Sequence, residues 1–285
     1  MKILAIGDFH GKLPQKLMKK IKKENVDLIV SVGDYPSFKL RKEFFKYSWK
    51  TSKQVWEVIG KKKTKEAKIQ DWDNAEKVMK KLESFKVPII TTVGNYEGTI
   101  ADSFDIHKTY LKDAKRWDWY EQDFFAKALK KFKNIKRIDY RYKKIRGLVF
   151  IGGYGHTIPG RVKSKNFKKY KTKLDKLFKK FKKENKQGKV IFVFHNMPYN
   201  CMDKITDKNA PIGARGEHYG SKLNRKIIEQ HQPILGIGGH IHENQGKQKI
   251  KKTTIINTGA AYENKATIID FDETKGKIKK IKFLK

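Results

Sequence analysis

Asp8 and His10 stand two residues apart, and so do His240 and His242. Each pair closes a short apolar run, and three more such runs end on Asp34, Asn95 and His195. On its own, an aspartate after glycine is an ordinary turn residue, and a single buried histidine is an ordinary hydrogen-bonded core group. Seven such residues, all at the ends of apolar runs, point instead to one shared site. In an extended strand end, a spacing of two sends both side chains to one side, so each pair can converge on a single ion. Oxygen and nitrogen donors without a thiolate suit borderline or hard divalent cations. Asp8 and Asp34 cannot neutralise two dications, and the about +2 that remains would hold a hydroxide and a phosphate group.

The runs that must position these residues are ILAIG from Ile3, LIVSVG from Leu28, IITTVG from Ile89, LVFIGG from Leu148, VIFVF from Val190 and ILGIGG from Ile234. Short continuous apolar runs of this kind are expected of strands buried on both faces. Helix-period stripes lie between them. Leu13, Leu17, Met18 and Ile21 form one; Ala75, Val78, Met79, Leu82 and Phe85 form another, with Asp73 or Asn74 as the expected N-cap. Alternating strand and helix define an α/β class, and in open α/β sheets ligands collect at the carboxyl ends of strands. The chemistry-bearing residues fall at those ends.

Residues 36–70, with Trp49, Trp56 and the run Lys61 to Lys63, read as a partly helical insertion suited to a lid. The C-terminal stretches TTIINTGAA, KATIIDFD and KIKKIKFL read as an antiparallel finish. No repeat or linker interrupts the chain, so a single domain over 1–285 is expected.

The charge balance is 67 Lys plus Arg against 30 Asp plus Glu, a formal net charge of +37. That suits phosphate-bearing partners. Fourteen of the basic residues crowd 161–189, yet Phe167, Tyr170, Leu174, Leu177, Phe178 and Phe181 recur there at spacings of three and four. The segment therefore reads as an amphipathic helix with lysines in water rather than a nucleic-acid tail. One cysteine, Cys201, excludes an intrachain disulfide, and catalytic thiol chemistry is not expected of it. The apolar stretch Ile3 to Gly7 is too short for a signal-peptide core, and no run approaches about 18 apolar residues, so a soluble cytoplasmic protein without a membrane partner is expected.

The order GDFHG, GDYPS, GNYEG, FHNMP and GGHIH resembles the five blocks of the calcineurin-like metallophosphoesterase superfamily, D-x-H, G-D, G-N-H-[DE], H and G-H-x-H. IINTGAA resembles the segment that often follows the last block, so the likeness spans nearly the whole chain. The resemblance implies an α/β/β/α sandwich of two mixed sheets flanked by helices, with a dinuclear metal site at the strand C-terminal ends. It implies Asp8, His10 and His242 on one ion, Asn95, His195 and His240 on the other, and Asp34 bridging them. The ions would be Mn²⁺ foremost, with Fe, Zn, Ni or Co as alternatives, and a two-metal activated water would attack phosphorus. Gly7, Gly33, Gly94 and Gly239, beside the ligands, would let backbones approach without a Cβ between them.

The family places His after the Asn of its third block, where it stabilises or protonates the leaving oxygen; here that position is Tyr96. Tyr96 either packs under the site or donates a hydrogen bond from a protonated phenol. His156 in GGYGHTIPG, Arg215 and His218 in GARGEHYG are further substrate-binding candidates. The second block lacks the D-R-G continuation of Ser/Thr protein phosphatases, and RGNHE is absent. The favoured reading is a metal-dependent hydrolase of phosphodiester or phosphomonoester bonds in a small substrate. The alternatives are a nuclease of the same superfamily, with the basic surface as its footprint, and a non-enzymatic scaffold that keeps the metal site.

Overall fold

The computed structural model describes residues 1–49, 51–97, 115–153, 165–210 and 212–285. The chain runs β1 (Lys2–Ile6), α1 (Gln15–Lys22), β2 (Leu28–Ser31), α2 (Lys61–Glu83), β3 (Ile89–Thr91), β4 (Ile135–Arg137), β5 (Tyr142–Ile145) and β6 (Leu148–Gly152). It continues through α3 (Lys165–Lys180), β7 (Val190–Asn196), α4 (Lys222–His231), β8 (Leu235–Gly239), β9 (Gly246–Ile250), β10 (Thr253–Asn257), β11 (Ala266–Asp272) and β12 (Lys277–Leu284). Shorter helical turns lie at Arg41–Glu43, Phe44–Ser48, Val55–Ile59, Phe124–Leu129 and Lys182–Lys186.

The strands build two mixed sheets of six strands each. One has the order β12-β11-β1-β2-β3-β4 and the other β5-β6-β7-β8-β10-β9. In the first, β1 to β4 are parallel, with Ile3 opposite Leu28 and Ile29 opposite Ile89, and β11 and β12 close the edge antiparallel. In the second, β6, β7, β8 and β10 are parallel, flanked by antiparallel β5 and β9.

Period-two alternation sorts each strand's apolar residues to two faces. Ile3, Ala5, Val30, Phe150, Val193 and Ile237 meet between the sheets. Leu4, Ile6 and Ile29 turn outward onto Leu17, Met18 and Ile21 of α1 and Ala75, Val78 and Met79 of α2. On the far side Val190, Phe192 and Ile255 pack on Leu174 and Phe178 of α3 and Leu223, Ile227 and Ile228 of α4. Each fully buried Leu, Ile or Phe contributes ~1.5–3 kcal/mol, so the four-layer sandwich is held chiefly by these three cores.

All six anticipated strands form, but β4, β5 and β9 carry no such run and pair at or near the sheet edges. The second helix does not start at Asp73 or Asn74. It starts at Lys61, because Lys61 to Gln70 holds good helix formers and no breaker, and Asn74 sits mid-helix donating to Ser37 Oγ at 3.1 Å. The last ten residues of the 36–70 stretch therefore belong to α2. The C-terminal run is not wholly antiparallel either, since β10 lies parallel to β8. Among the described residues no helix is long and apolar enough to cross a membrane.

Candidate metal centre

The C-terminal ends of β1, β2 and β3 are adjacent in one sheet, and those of β7 and β8 in the other. Stacking the sheets brings the five ends together. Asp8 and His10 follow β1, Asp34 follows β2, Asn95 follows β3, His195 lies within β7, and His240 and His242 follow β8.

The spacing of two in Asp8 and His10 works differently from an extended strand end. Asp8, His10, Asp34 and His240 all have positive φ, at 52°, 45°, 58° and 72°. Non-glycine residues enter this region at a cost, and surrounding bonds must fix them there. The N–H of Asp8 donates to Gly33 O at 2.9 Å, and those of Phe9 and His10 donate to Asp34 O at 2.8 and 3.0 Å. The His240 N–H donates to Asp8 Oδ2 at 3.0 Å, which links the sheets. The bare backbones at Gly94 and Gly239 are required here, because a Cβ would strike Asp34 Oδ1 at the first and Asp8 Oδ2 at the second.

Two donor groups result. In the first, His10 Nε2 and His242 Nε2 face each other at 3.1 Å, and Asp8 Oδ1 is 3.4 Å from His242 Nε2. In the second, Asn95 Oδ1 lies 2.8 Å from His195 Nε2 and 2.9 Å from His240 Nδ1, with the two ring nitrogens 3.2 Å apart. Between the groups, Asp34 Oδ2 is 3.5 Å from His195 Nε2 and 4.0 Å from His10 Nε2. Asp34 Oδ1 accepts the Tyr96 N–H at 2.9 Å.

These residues fit divalent cations. His195 Nδ1 donates to Val32 O at 2.7 Å, so a neutral ring turns its Nε2 lone pair inward among other acceptors. Asp8 Oδ1 is buried and has no hydrogen-bond partner among the described residues. Acceptor groups gathered this closely suit positive charge, and Asp8, His10 and His242, like Asp8, Asp34 and His195, lie close enough to share an ion.

The electrostatics agree. Burial works to raise the Asp8 carboxyl, but His242, His195 and His10 outweigh it and hold it below the usual carboxylate range. Burial and the neighbouring His242 push His10 down to about 3, so its ring is neutral and able to ligate. Burial and the charge of Asp8 push Asp34 up to about 8. Three buried carboxylates crowd a space where added cations would relieve their repulsion.

The third of them, Glu97, belongs to this cluster in a way that the spacing alone does not reveal. Its Oε2 accepts the N–H of Asp34 at 3.1 Å and of Gly94 at 2.7 Å, while Oε1 accepts the N–H of Tyr35 at 2.5 Å. It thereby ties the end of β2 to the end of β3. The signal in the sequence is the acidic residue of the third block. Tyr262 is the other addition, its hydroxyl 3.1 Å from His242 Nδ1, and it follows the IINTGAA segment.

Tyr96 is half-buried, its ring 4.7 Å from that of His10. Burial, with Asp34's charge, pushes its hydroxyl above the usual phenol range, so the proton stays on. Arg215 and His218 have described contacts within their own loop. Arg215 Nε donates to Ala210 O at 2.7 Å, and His218 Nδ1 pairs with Asp203 Oδ1 at 2.8 Å. His156 lies outside the described residues. Cys201 is buried, and burial pushes its thiol up to about 12, which leaves it without nucleophilic character near neutrality.

A two-sheet α/β sandwich with such a donor cluster between its parallel strand ends defines the metallophosphoesterase class of fold. The chain belongs to that class: the family model for metallophosphoesterases of the calcineurin superfamily matches residues 1–281. The superfamily consists generally of phosphate-ester hydrolases with a dinuclear divalent metal site. An uncharacterized protein of Methanocaldococcus jannaschii is 26% identical over 285 residues, 97% of this chain and 98% of its own. One crystal structure superposes with a TM-score of 0.63 at 19% identity, over 100% of this chain and 99% of the other. That of TT1561 from Thermus thermophilus superposes with a TM-score of 0.54 at 14% identity, over 99% of this chain and 97% of the other. Both are similar to it in fold.

Proposed function

We propose that this protein hydrolyses phosphodiester or phosphomonoester bonds of a small substrate at a two-ion centre. Asp8, His10 and His242 would hold one ion, Asn95, His195 and His240 would hold the other, and Asp34 would serve both. The observation that carries the reading is the position of Asp34 Oδ2, 3.5 Å from a nitrogen of one donor group and 4.0 Å from a nitrogen of the other. When bound, the two ions would lower the pKa of water enough to supply hydroxide near neutral pH and would stabilise charge on the phosphoryl oxygens.

The protein's own groups do the rest. Val32 O fixes the His195 tautomer, Tyr262 steadies His242, and Glu97 holds the Asp34 turn, so little reorganisation remains during reaction. Tyr96, protonated at its hydroxyl, donates a hydrogen bond to the leaving oxygen. It is a weaker acid than an imidazolium, so good leaving groups are cleaved best.

The test is a substrate panel of aryl phosphodiesters, aryl phosphomonoesters, and single- and double-stranded DNA, with Mn²⁺ supplied. Hydrolysis of an activated ester is expected, and Asp34→Asn should lower it by about 100-fold or more, as loss of a shared ligand requires. Undiminished activity in Asp34→Asn would overturn the bridging assignment. Cleavage of DNA alone would move the reading to a nuclease.

A further inference from the structure

The segment after Asp34 carries a cation that the centre does not use. Arg41 opens the helical turn Arg41–Glu43, and its backbone N–H donates to Phe38 O at 3.1 Å. The Phe38 ring stands edge-on to Tyr96 at 5.1 Å and packs on Phe44 at 5.4 Å. Tyr96 in turn contacts the His10 ring and donates its N–H to Asp34 Oδ1. A continuous line of contacts therefore runs from the centre out to Arg41.

Its guanidinium is exposed and lies over the Phe45 ring at 5.0 Å. Arg116, Arg137, Arg146 and Arg225 are each paired with a carboxylate. Arg41 has no carboxylate within 4.0 Å among the described residues. The charge of Arg41 also works to lower both the Tyr96 hydroxyl and the His10 ring, although burial dominates each group.

We propose that Arg41 is a substrate-binding residue of this centre, whose planar guanidinium takes the non-bridging oxygens of the phosphate group beside Tyr96. The assignment rests on the phosphoesterase reading above. Arginine suits the role because it presents several N–H donors in one plane, matches phosphate geometry and stays charged. The Phe45 ring lies against the guanidinium, and the residue is exposed. Arg215 and His218, by contrast, are engaged within the 203–218 region.

The test compares the Mn²⁺-loaded full chain with Arg41→Ala and Arg41→Lys. Two readouts are taken: inorganic phosphate affinity by isothermal titration calorimetry, and KM and kcat on an activated phosphodiester. Metal content is measured alongside. Loss of a charge-assisted contact should weaken phosphate binding and raise KM by roughly 10- to 100-fold in Arg41→Ala, with Mn²⁺ content unchanged. Arg41→Lys should recover part of the loss, because it keeps the charge and not the fork. Phosphate affinity in Arg41→Ala within about twofold of wild type would overturn the proposal, as would a fall explained by lost metal. Wild-type protein that binds phosphate but cleaves no ester would overturn the reaction reading alone, and the phosphate comparison would still decide Arg41.

Discussion

At Tyr96 the chain departs from the family's third block, and the structure sharpens what a phenol can do there. Its ring is wedged between Phe38 and His10, its backbone is fixed to Asp34, and its proton is retained. Only a hydrogen bond remains for it to contribute. Tyr96→Phe should therefore slow hydrolysis of esters with poor leaving groups by about 10-fold, in line with a hydrogen bond worth ~1.5 kcal/mol, and leave aryl esters nearly unchanged. Steady-state kinetics on matched alkyl and aryl phosphodiesters would show it, and equal effects on both would assign Tyr96 to packing alone.

The convergence of Asp34, His195 and their partners is legible at this scale because each closes an apolar run. The positive φ of Asp8, His10 and His240 was not. Nothing in DFH or GHIH distinguishes an extended strand end from a left-handed turn, since the conformation is imposed by hydrogen bonds from residues far along the chain. Arg41 was equally hidden, because its neighbours Phe38 and Tyr96 are more than fifty residues apart in sequence and meet only when β2 and β3 pair.

Among the elements, the link between the ends of β2 and β3 bears most directly on the centre. Glu97 accepts three backbone N–H groups, two of them from the β2 end. Glu97→Ala would leave all three without an acceptor in a buried setting, at ~1–3 kcal/mol each. Urea denaturation should show a loss of about 3 kcal/mol or more, accompanied by weaker Mn²⁺ uptake. A loss under about 1 kcal/mol would mean that the tie is dispensable.

Strand identity was legible wherever both faces are buried, as in β1, β7 and β8. It was not legible in β5, whose sequence YKKI is mostly exposed and owes its conformation to pairing with β6. The N-terminal boundary of α2 is hidden for a related reason. An apolar stripe marks where a helix touches a core, and the first turns of α2 extend past it into solvent. The amphipathic reading of 161–189 was sound within the described residues: Leu174, Phe178 and Phe181 are buried, and many of the lysines between them face water.

For the whole molecule, the centre is where the two sheets are joined at their parallel strand ends. The His240 N–H bond to Asp8 and the His195 bond to Val32 cross from one sheet to the other. Ions shared by ligands from both sheets would add to those links, so metal should stabilise the global fold. Mn²⁺ at about 100 times its Kd should add ~2.7 kcal/mol relative to EDTA-treated protein. Tm should rise by several degrees, at ~2–4 °C per kcal/mol for a large domain. Scanning calorimetry would check this, and identical transitions with and without Mn²⁺ would argue against ions bridging the sheets. The net charge of +37 would act in the same direction as the proposed centre by attracting anionic substrates, an attraction that salt should weaken.

The proposed centre would take a pair of ions, with Asp34 between two donor groups. Anomalous diffraction at the manganese edge, from crystals grown with Mn²⁺, tests it most directly. Two peaks roughly 3.5–4 Å apart are expected. One should lie against Asp8, His10 and His242, the other against Asn95, His195 and His240, with the Asp34 carboxylate touching both. A single peak, or peaks that leave Asp34 outside their coordination, would contradict it.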